Sequence, residues 1–266
     1  MDAVILQDIL SLMSGILVGF TLGLIGGGGS ILAVPLMLYM VGVKDTHVAI
    51  ATSAAAVAVS AFLNLIAHAR SGTVKWRCAL LFAAFGVVGA AGGSTLGKMT
   101  QGDLLLGLFG LVMIVIGLAM LREKSGGSDP DVALTRNTAL RLTPRLAAGG
   151  MVVGALSGFF GIGGGFLVVP GLVAATAMPI LNAIGSSLVS VTAFGGTTAA
   201  NYALDGLVDW RIAAAFIVGG GGGGLIGTLA SRRLEQRAGA LKLVFSIVVI
   251  GVGLFIAGKE LGSLLT

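Results

Sequence analysis

Long apolar runs separated by short charged clusters make up most of this chain. At 1.5 Å per residue, about 20 apolar residues of helix cross the ~30 Å hydrocarbon core of a bilayer, so the pattern predicts membrane helices. The second run of each half is too short to span untilted, which favours half of a re-entrant hairpin. We therefore predict an all-α polytopic membrane protein with about 8 to 10 membrane segments, including broken or re-entrant glycine-rich hairpins. The runs lie near residues 9–25, 30–43, 46–67, 79–97 and 104–121, then 146–161, 165–179, 180–204, 212–230 and 238–257.

The apolar pattern occurs twice. Residues 19–35 recur as residues 154–170, 135 positions later, with a glycine cluster and a closing Val-Pro in register. A Gly-x-Val-x-Trp-Arg loop also occurs twice, at 72–77 and 206–211, with an offset of 134. Duplicated apolar segments interrupted by glycine are typical of two-fold transporter scaffolds. We predict a first transmembrane repeat at residues 1–121, a linker at 122–145 and a second transmembrane repeat at 146–266.

Loop charges predict how the two halves are oriented. The loop near residues 70–77 is strongly basic, whereas its counterpart near 205–211 is net acidic. The opposite holds for the next pair, because residues 98–103 are neutral and 232–237 are basic. Basic loops remain on the cytoplasmic side of a membrane, so equivalent loops are expected on opposite faces. We predict inverted repeats in the cell inner membrane, with a cytoplasmic linker and both termini outside.

Composition supports the membrane class and excludes several others. With 56% hydrophobic and 10% charged residues, the chain lacks the polar surface of a water-soluble globule of its size. The net charge of +5 comes mostly from residues that flank apolar runs, which indicates lipid headgroups rather than nucleic acid as the partner. The first apolar run follows Asp2 and Asp8 without any basic residue, so we interpret it as a retained segment, not a secretory signal. The single Cys78 excludes an intrachain disulfide and a multi-cysteine metal site.

The glycine clusters are the first candidates for a binding site. Each precedes a short apolar segment, and if that segment is helical, its first N–H groups and positive dipole end face the cluster. Two such helix starts could hold one anion without a charged side chain. The alternative is that these glycines only permit close helix packing, the role we predict for Gly15, Gly19 and Gly23. The predicted substrate-binding residues of the clusters are Gly26, Gly27, Gly28, Gly29, Ser30, Gly161, Gly163, Gly164 and Gly165.

Polar side chains of the third segment of each half are further candidates. Their hydroxyls and amides could donate to an oxyanion, or they could join helices to one another. His68 is the one group near the apolar zone that titrates near neutral pH, although its place beside the basic loop favours headgroup level. With no Asp or Glu in the middle of any segment, proton coupling has no support in the sequence. The predicted additional substrate-binding residues are Thr52, Ser53, Ser186, Ser187, Asn64 and Asn201.

The doubled glycine stretch ending in Val-Pro, the Thr-Ser and Ser-Ser pairs and the repeated Trp-Arg loop resemble the TauE/SafE sulfite-exporter family. The resemblance covers both halves and implies transport of small anions, chiefly sulfite, sulfonates or related oxyanions, often outward across the inner membrane. The repeat departs from symmetry where Gly27 matches Ile162 and Ser30 matches Gly165, so the two half-sites cannot bind identically. The family's motif positions correspond here to Gly26, Gly28, Gly29, Pro35, Gly161, Gly163, Gly164, Gly165 and Pro170.

These observations predict a secondary transporter or facilitator that exports a small organic or inorganic oxyanion. An anion channel, or a transporter of small carboxylates, is the alternative. An intramembrane enzyme is disfavoured because the second half contains no histidine to activate Ser157. No metal or cofactor is predicted, and the sequence leaves the oligomeric state, the coupling ion and the individual substrate open.

Overall fold

The computed structural model describes residues 3–122, 138–163, 165–234 and 238–264, and within these ranges the chain forms helices without strands. Six helical segments of this part are long and apolar enough to cross a membrane. The prediction of an all-α membrane protein is thereby confirmed, while the count of segments and their insertion remain predictions. The six are Val4–Met40, Thr46–Arg70, Trp76–Met99, Gly102–Ala119, Ile180–Ala203 and Trp210–Ala230.

Among the described residues, each half contributes five helical segments in the same order, and the second segment of the first half is divided into 3₁₀, α and π pieces. In the first half these are α1 (Ala3–Ile25), a 3₁₀ helix (Gly26–Leu32), α2 (Ala33–Pro35), a π-helix (Leu36–Met40), α3 (Thr46–Arg70), α4 (Trp76–Met99) and α5 (Gly102–Arg122). In the second half they are α6 (Ala139–Phe160), α7 (Gly165–Thr176), α8 (Ile180–Ala203), α9 (Trp210–Leu234) and α10 (Ala238–Leu264). The predicted runs match these helices to within a few residues at most ends.

The start of α6 differs from the prediction. The helix begins at Ala139, inside the range predicted as linker, and residues 123–137 of that range lie outside the described residues. Arg141 and Arg145 are exposed, while Leu142 and Leu146, one position further along, are buried. Four-residue spacing puts each pair on its own helix face, so this segment is amphipathic rather than apolar. A search for apolar runs therefore misses its first turns.

Each main helix–helix contact has an equivalent contact when the two halves are exchanged. The most extensive contacts are those of α1 with α9 and of α4 with α6, which are equivalent pairs. The pairs α3–α8 and α5–α10 each join a helix to its own counterpart. The less extensive contacts of α4 with α8 and of α3 with α9 are again equivalent to each other. The duplication seen in the sequence is thus a duplication of the tertiary structure.

Glycine seams bring the backbones of α1 and α9 together. A Cβ on Gly19 would lie 2.6 Å from the Cα of Gly220, and Gly15 and Gly23 meet Phe216 and Gly224 in the same way. Because residue numbers rise together along this seam, α1 and α9 run parallel. Helices in lipid associate mainly through such close van der Waals contact. The packing role predicted for Gly15, Gly19 and Gly23 is confirmed.

Equivalent helices of the two halves run in opposite directions. Near the start of α3, His47 lies beside Tyr202 of the last turn of α8, with ring centroids 6.2 Å apart. Further along, Gly195 approaches the Cα of Ala58. The same relation holds between α5 and α10, where Gly110 meets Gly253 and Gly117, further along α5, meets Ser246, which is earlier in α10. The two helices of each of these equivalent pairs are therefore antiparallel.

Connections between helices gather at two opposite faces. We call the first the N-terminal face, which holds residues 41–45 and 204–209, because α1 begins there and Asp8 accepts a 2.6 Å ion-pair contact from Arg211. The second is the linker face, where residues 71–75 approach the start of α8 and Asn182 Nδ2 donates to the Thr73 carbonyl at 3.0 Å. These two names are used below to give the direction of each helix.

Candidate anion site at the glycine breaks

The first glycine break turns the chain back on itself. After α1 ends, Gly26 adopts φ +72°, a left-handed conformation that glycine tolerates best, and the following residues tighten into a buried 3₁₀ helix. The returning arm ends beside the start of α1, where Gln7 Nε2 donates to the Val41 carbonyl at 3.4 Å. The sequence therefore folds into a helical hairpin with its turn inside the helical layer.

The second break is formed by a different local structure. Gly161 caps α6 with φ +66°, its N–H bonds the Gly158 carbonyl, and the Ile162 N–H bonds the Ser157 carbonyl at 3.3 Å. This is the bond pattern of a Schellman cap, for which glycine is the usual residue. Gly163 is also left-handed, and α7 begins at Gly165. Gly164, the remaining predicted site residue of this cluster, lies outside the described residues.

The two breaks meet each other. A Cβ on Gly27 would lie 2.6 Å from the Gly165 carbonyl oxygen, and one on Gly165 would overlap the backbone of Gly27. Val57 of α3 and Val191 of α8, which occupy equivalent positions, both lie against Gly163. These valines are near the midpoints of their helices, so the breaks lie between the two faces. In this conformation the two hairpins are in direct backbone contact.

One hydrogen bond joins the first break to α8. The Gly27 N–H donates to Ser187 Oγ at 3.1 Å, and that hydroxyl donates to the Ile184 carbonyl at 2.7 Å. Ser53, the counterpart of Ser187, donates to the Ile50 carbonyl at 3.0 Å. In the second half the corresponding amide belongs to Ile162 and is used by the cap of α6. The two half-sites thus differ in their hydrogen bonding.

The breaks offer backbone and hydroxyl groups, not charges. Residues 26–40 and 161–176 contain no Asp, Glu, Lys, Arg or His. Ser30, which is fully buried, donates to the Gly27 carbonyl at 2.9 Å. The starts of the 3₁₀ helix and of α7 both face the junction, and helix starts favour negative charge. The junction thus presents backbone and hydroxyl groups without a fixed charge.

Thr52 and Ser186 each accept a hydrogen bond from the residue that precedes a helix of the opposite half. The Asp209 N–H donates to Thr52 Oγ1 at 3.0 Å, and the Lys75 N–H donates to Ser186 Oγ at 2.9 Å. Both acceptors are fully buried, and the two bonds are equivalent under exchange of the halves. The bond of Ser186 lies at the start of α4 near the linker face, and the bond of Thr52 lies at the start of α9 near the N-terminal face. The offset of 134 between the two pairs is the one signal in the sequence that could have indicated this role.

The two asparagines join neighbouring helices. Asn64 Oδ1 accepts from Thr228 Oγ1 at 3.3 Å, and Asn201 Nδ2 donates to Ser94 Oγ at 2.6 Å. Ser94 and Thr228 are equivalent positions of α4 and α9, so each bond links a third helix to the fourth helix of the other half. Of the two readings of these amides, helix-to-helix bonding is the one seen in this conformation.

His68 is buried inside the protein beside the linker face, and its predicted location at headgroup level stays a prediction. It is 2% exposed, its Nε2 lies 3.3 Å from the Gly23 carbonyl oxygen and its Nδ1 lies 3.1 Å from Thr73 Oγ1. Gly23 belongs to the last turn of α1, so the imidazole contacts the helix that leads into the first break. Tyr202, the counterpart of His68, is fully buried as well.

Comparison with known proteins gives a consistent result. The family model described as Sulfite exporter TauE/SafE matches residues 11–256. A "Probable membrane transporter protein" of Xylella fastidiosa (strain Temecula1 / ATCC 700964) is 51% identical over 256 residues, covering 96% of this chain and 97% of the relative. The "Probable membrane transporter protein YunE" of Bacillus subtilis (strain 168) is 26% identical, covering 92% of this chain and 96% of the relative. No solved structure matches.

Proposed function

Because this chain belongs to the TauE/SafE sulfite exporter family, we propose that it exports a small oxyanion, such as sulfite or an organosulfonate, across the cell inner membrane. It acts as a secondary transporter or facilitator. The observation that carries this proposal is the meeting of two broken hairpins at Gly27 and Gly165. Broken helices that converge between the faces are a recurrent substrate site in duplicated transporters.

The chemistry of the junction supports an anion as the solute. Burying an ion costs several kcal/mol, and charge-assisted hydrogen bonds from amides and hydroxyls can offset that cost. The Gly27 N–H donates to Ser187 Oγ at 3.1 Å, and the start of α7 adds further amides. A solute oxygen that takes the place of Ser187 Oγ would receive the Gly27 hydrogen, and it would receive the Ser187 hydrogen as well only when that hydroxyl leaves the Ile184 carbonyl.

Movement of the two halves supplies access. We infer an inverted-repeat arrangement, which the opposite directions of α3 and α8 and of α5 and α10 support. The direct contact of Gly27 with Gly165 represents a closed junction, so the hairpins must separate to admit solute. When each half adopts the conformation that the other half had before, the protein changes between an inward-open and an outward-open state.

Charge supports a cytoplasmic linker face. Arg70, Lys75 and Arg77 lie within or beside residues 71–75 of this face without an acidic neighbour in the chain, whereas the N-terminal face carries Asp45 and Asp209 together with Lys44 and Arg211. Basic residues accumulate on the cytoplasmic side of inner-membrane proteins. Both termini are therefore assigned to the outer side.

The test is flux in proteoliposomes with Gly27→Ala and a matched control, Gly222→Ala. The Gly27 methyl group would force the hairpins apart, whereas a Cβ on Gly222 meets nothing within 4 Å. We expect flux of radiolabelled sulfite or sulfoacetate at alkaline pH to fall at least tenfold in Gly27→Ala alone. Unchanged flux in a well-folded Gly27→Ala protein would remove the breaks from the site. Large single-channel currents in planar bilayers would instead identify an anion channel, and flux of small carboxylates alone would reassign the substrate.

A further inference from the structure

Three matched pairs of polar residues lie along α3 and α8, the third long helical segments of the two halves. Their spacing of 11 and then 4 residues turns by about 20° and 40° around a helix, so the three positions share one face. Val57 of α3 and Val191 of α8, which contact Gly163, lie on the same faces. The polar positions therefore extend from the breaks along one side of α3 and one side of α8, and at Asn64 this side of α3 also packs against Thr228 of α9. The pairs are Ser53 with Ser187, Asn64 with Thr198, and His68 with Tyr202.

The two faces lead in opposite directions. On α3 the series runs from the breaks through Asn64 to His68, which contacts Thr73 at the linker face. On α8 it runs through Thr198 to Tyr202, which lies beside His47 at the N-terminal face. Because the two helices are antiparallel, the series on α3 reaches the linker face and the series on α8 reaches the N-terminal face. Together they form one line of polar residues between the two faces.

Several groups of this line are buried without a partner. Among the described residues, Thr198 Oγ1, Tyr202 OH and Ser60 Oγ, which lies one turn from Asn64, have no hydrogen-bond partner. All three residues are 0% exposed. Buried hydroxyls in folded proteins are almost always paired, so each unpaired one needs an explanation such as water or a solute. Three of them along one line indicate groups that are paired when the line is occupied.

We propose that these faces of α3 and α8 line a single solute path in two half-channels that meet at the glycine breaks, with His68 closing one end and Tyr202 the other. This inference rests on the transport function proposed above. In the closed state His68 contacts the Gly23 carbonyl, and Tyr202 lies under Lys98, whose Nζ is 5.8 Å from its ring centroid. The path offers hydroxyl and amide donors, which suit an oxyanion.

Cysteine accessibility tests the path without knowledge of the substrate. Cys78 is the chain's single cysteine, so Cys78→Ser gives a background free of thiols. In this background Asn64→Cys and Thr198→Cys are treated in proteoliposomes with a membrane-impermeant maleimide from one side or the other. The control variants Leu65→Cys and Ala199→Cys are one residue further along and equally buried, at 8% exposure, but are turned by about 100° out of the face.

The expected result is labelling of Asn64→Cys and Thr198→Cys from opposite sides, each at least tenfold faster than its neighbouring control. Labelling of both from the same side, of only one, or of neither above its control would overturn the path. If Asn64→Cys does not fold, the nearly isosteric Ser60→Cys takes its place. Opposite-sided labelling together with normal flux in Gly27→Ala would keep the path and reject the breaks as the site. Loss of flux in Gly27→Ala without opposite-sided labelling would keep the breaks as the site and reject the path.

Discussion

Replacing Gly19 by alanine should destabilise the contact between α1 and α9. The added Cβ would overlap the Gly220 carbonyl oxygen and lie 2.6 Å and 2.7 Å from the Gly220 Cα and carbonyl carbon. All three neighbours are backbone atoms, so no side-chain rotation can relieve the overlap. The helices must move apart along the most extensive interface in the protein.

The size of the effect follows from two opposing contributions. Alanine favours the helical backbone by about 1 kcal/mol relative to glycine. Overpacking typically costs about 1–3 kcal/mol, and a rigid backbone overlap belongs at or above the upper limit. We expect a net loss of about 2 kcal/mol, which corresponds to a melting temperature lower by about 4–8 °C for a chain of this length.

The assay is thermal unfolding of purified Gly19→Ala in detergent, followed by intrinsic fluorescence and by size-exclusion chromatography. Gly222→Ala, in α9 at a position with open space around the Cβ, serves as the control and should unfold at the wild-type temperature or slightly above. If Gly19→Ala and Gly222→Ala unfold at the same temperature, the glycine seam does not hold α1 against α9 and the explanation of the packing is incorrect.

Three further predictions address the buried hydroxyls. Thr52→Val and Ser186→Ala should each lower stability by about 1 kcal/mol in thermal unfolding, since each removes the buried hydroxyl that accepts from the N–H of Asp209 or Lys75, and should leave flux per folded protein unchanged. Tyr202→Phe should keep or raise the melting temperature, because it removes an unpaired buried group, while changing the flux of anions in proteoliposomes. Ser187→Ala should reduce flux more than Ser53→Ala, because Ser187 alone accepts a glycine amide; equal effects would contradict the inequality of the two half-sites.

Much of the helical architecture could be predicted because helix boundaries in lipid depend on local sequence. A run of apolar residues must be helical to satisfy its backbone, and it ends where charge begins. The amphipathic start of α6 at Ala139 was missed for the same reason, since its buried Leu142 and Leu146 are interrupted by arginines. The roles of individual polar groups were less predictable. The partner of Thr52 lies 157 residues away and that of Ser186 lies 111 residues away, so no local pattern indicates them.

The unequal breaks indicate how a duplicated protein can use its two halves differently. In the second break the Ile162 amide is consumed by the cap of α6, a bond between residues five apart that need not change when the halves move. In the first break the Gly27 amide bonds Ser187 of the other half, and any separation of the halves must disrupt that bond. Under the proposed transport function, a solute oxygen would replace the lost partner of the Gly27 amide at the first break. Solute binding would therefore be coupled to opening mainly through Gly27 and Ser187, while the second hairpin acts as the more rigid wall.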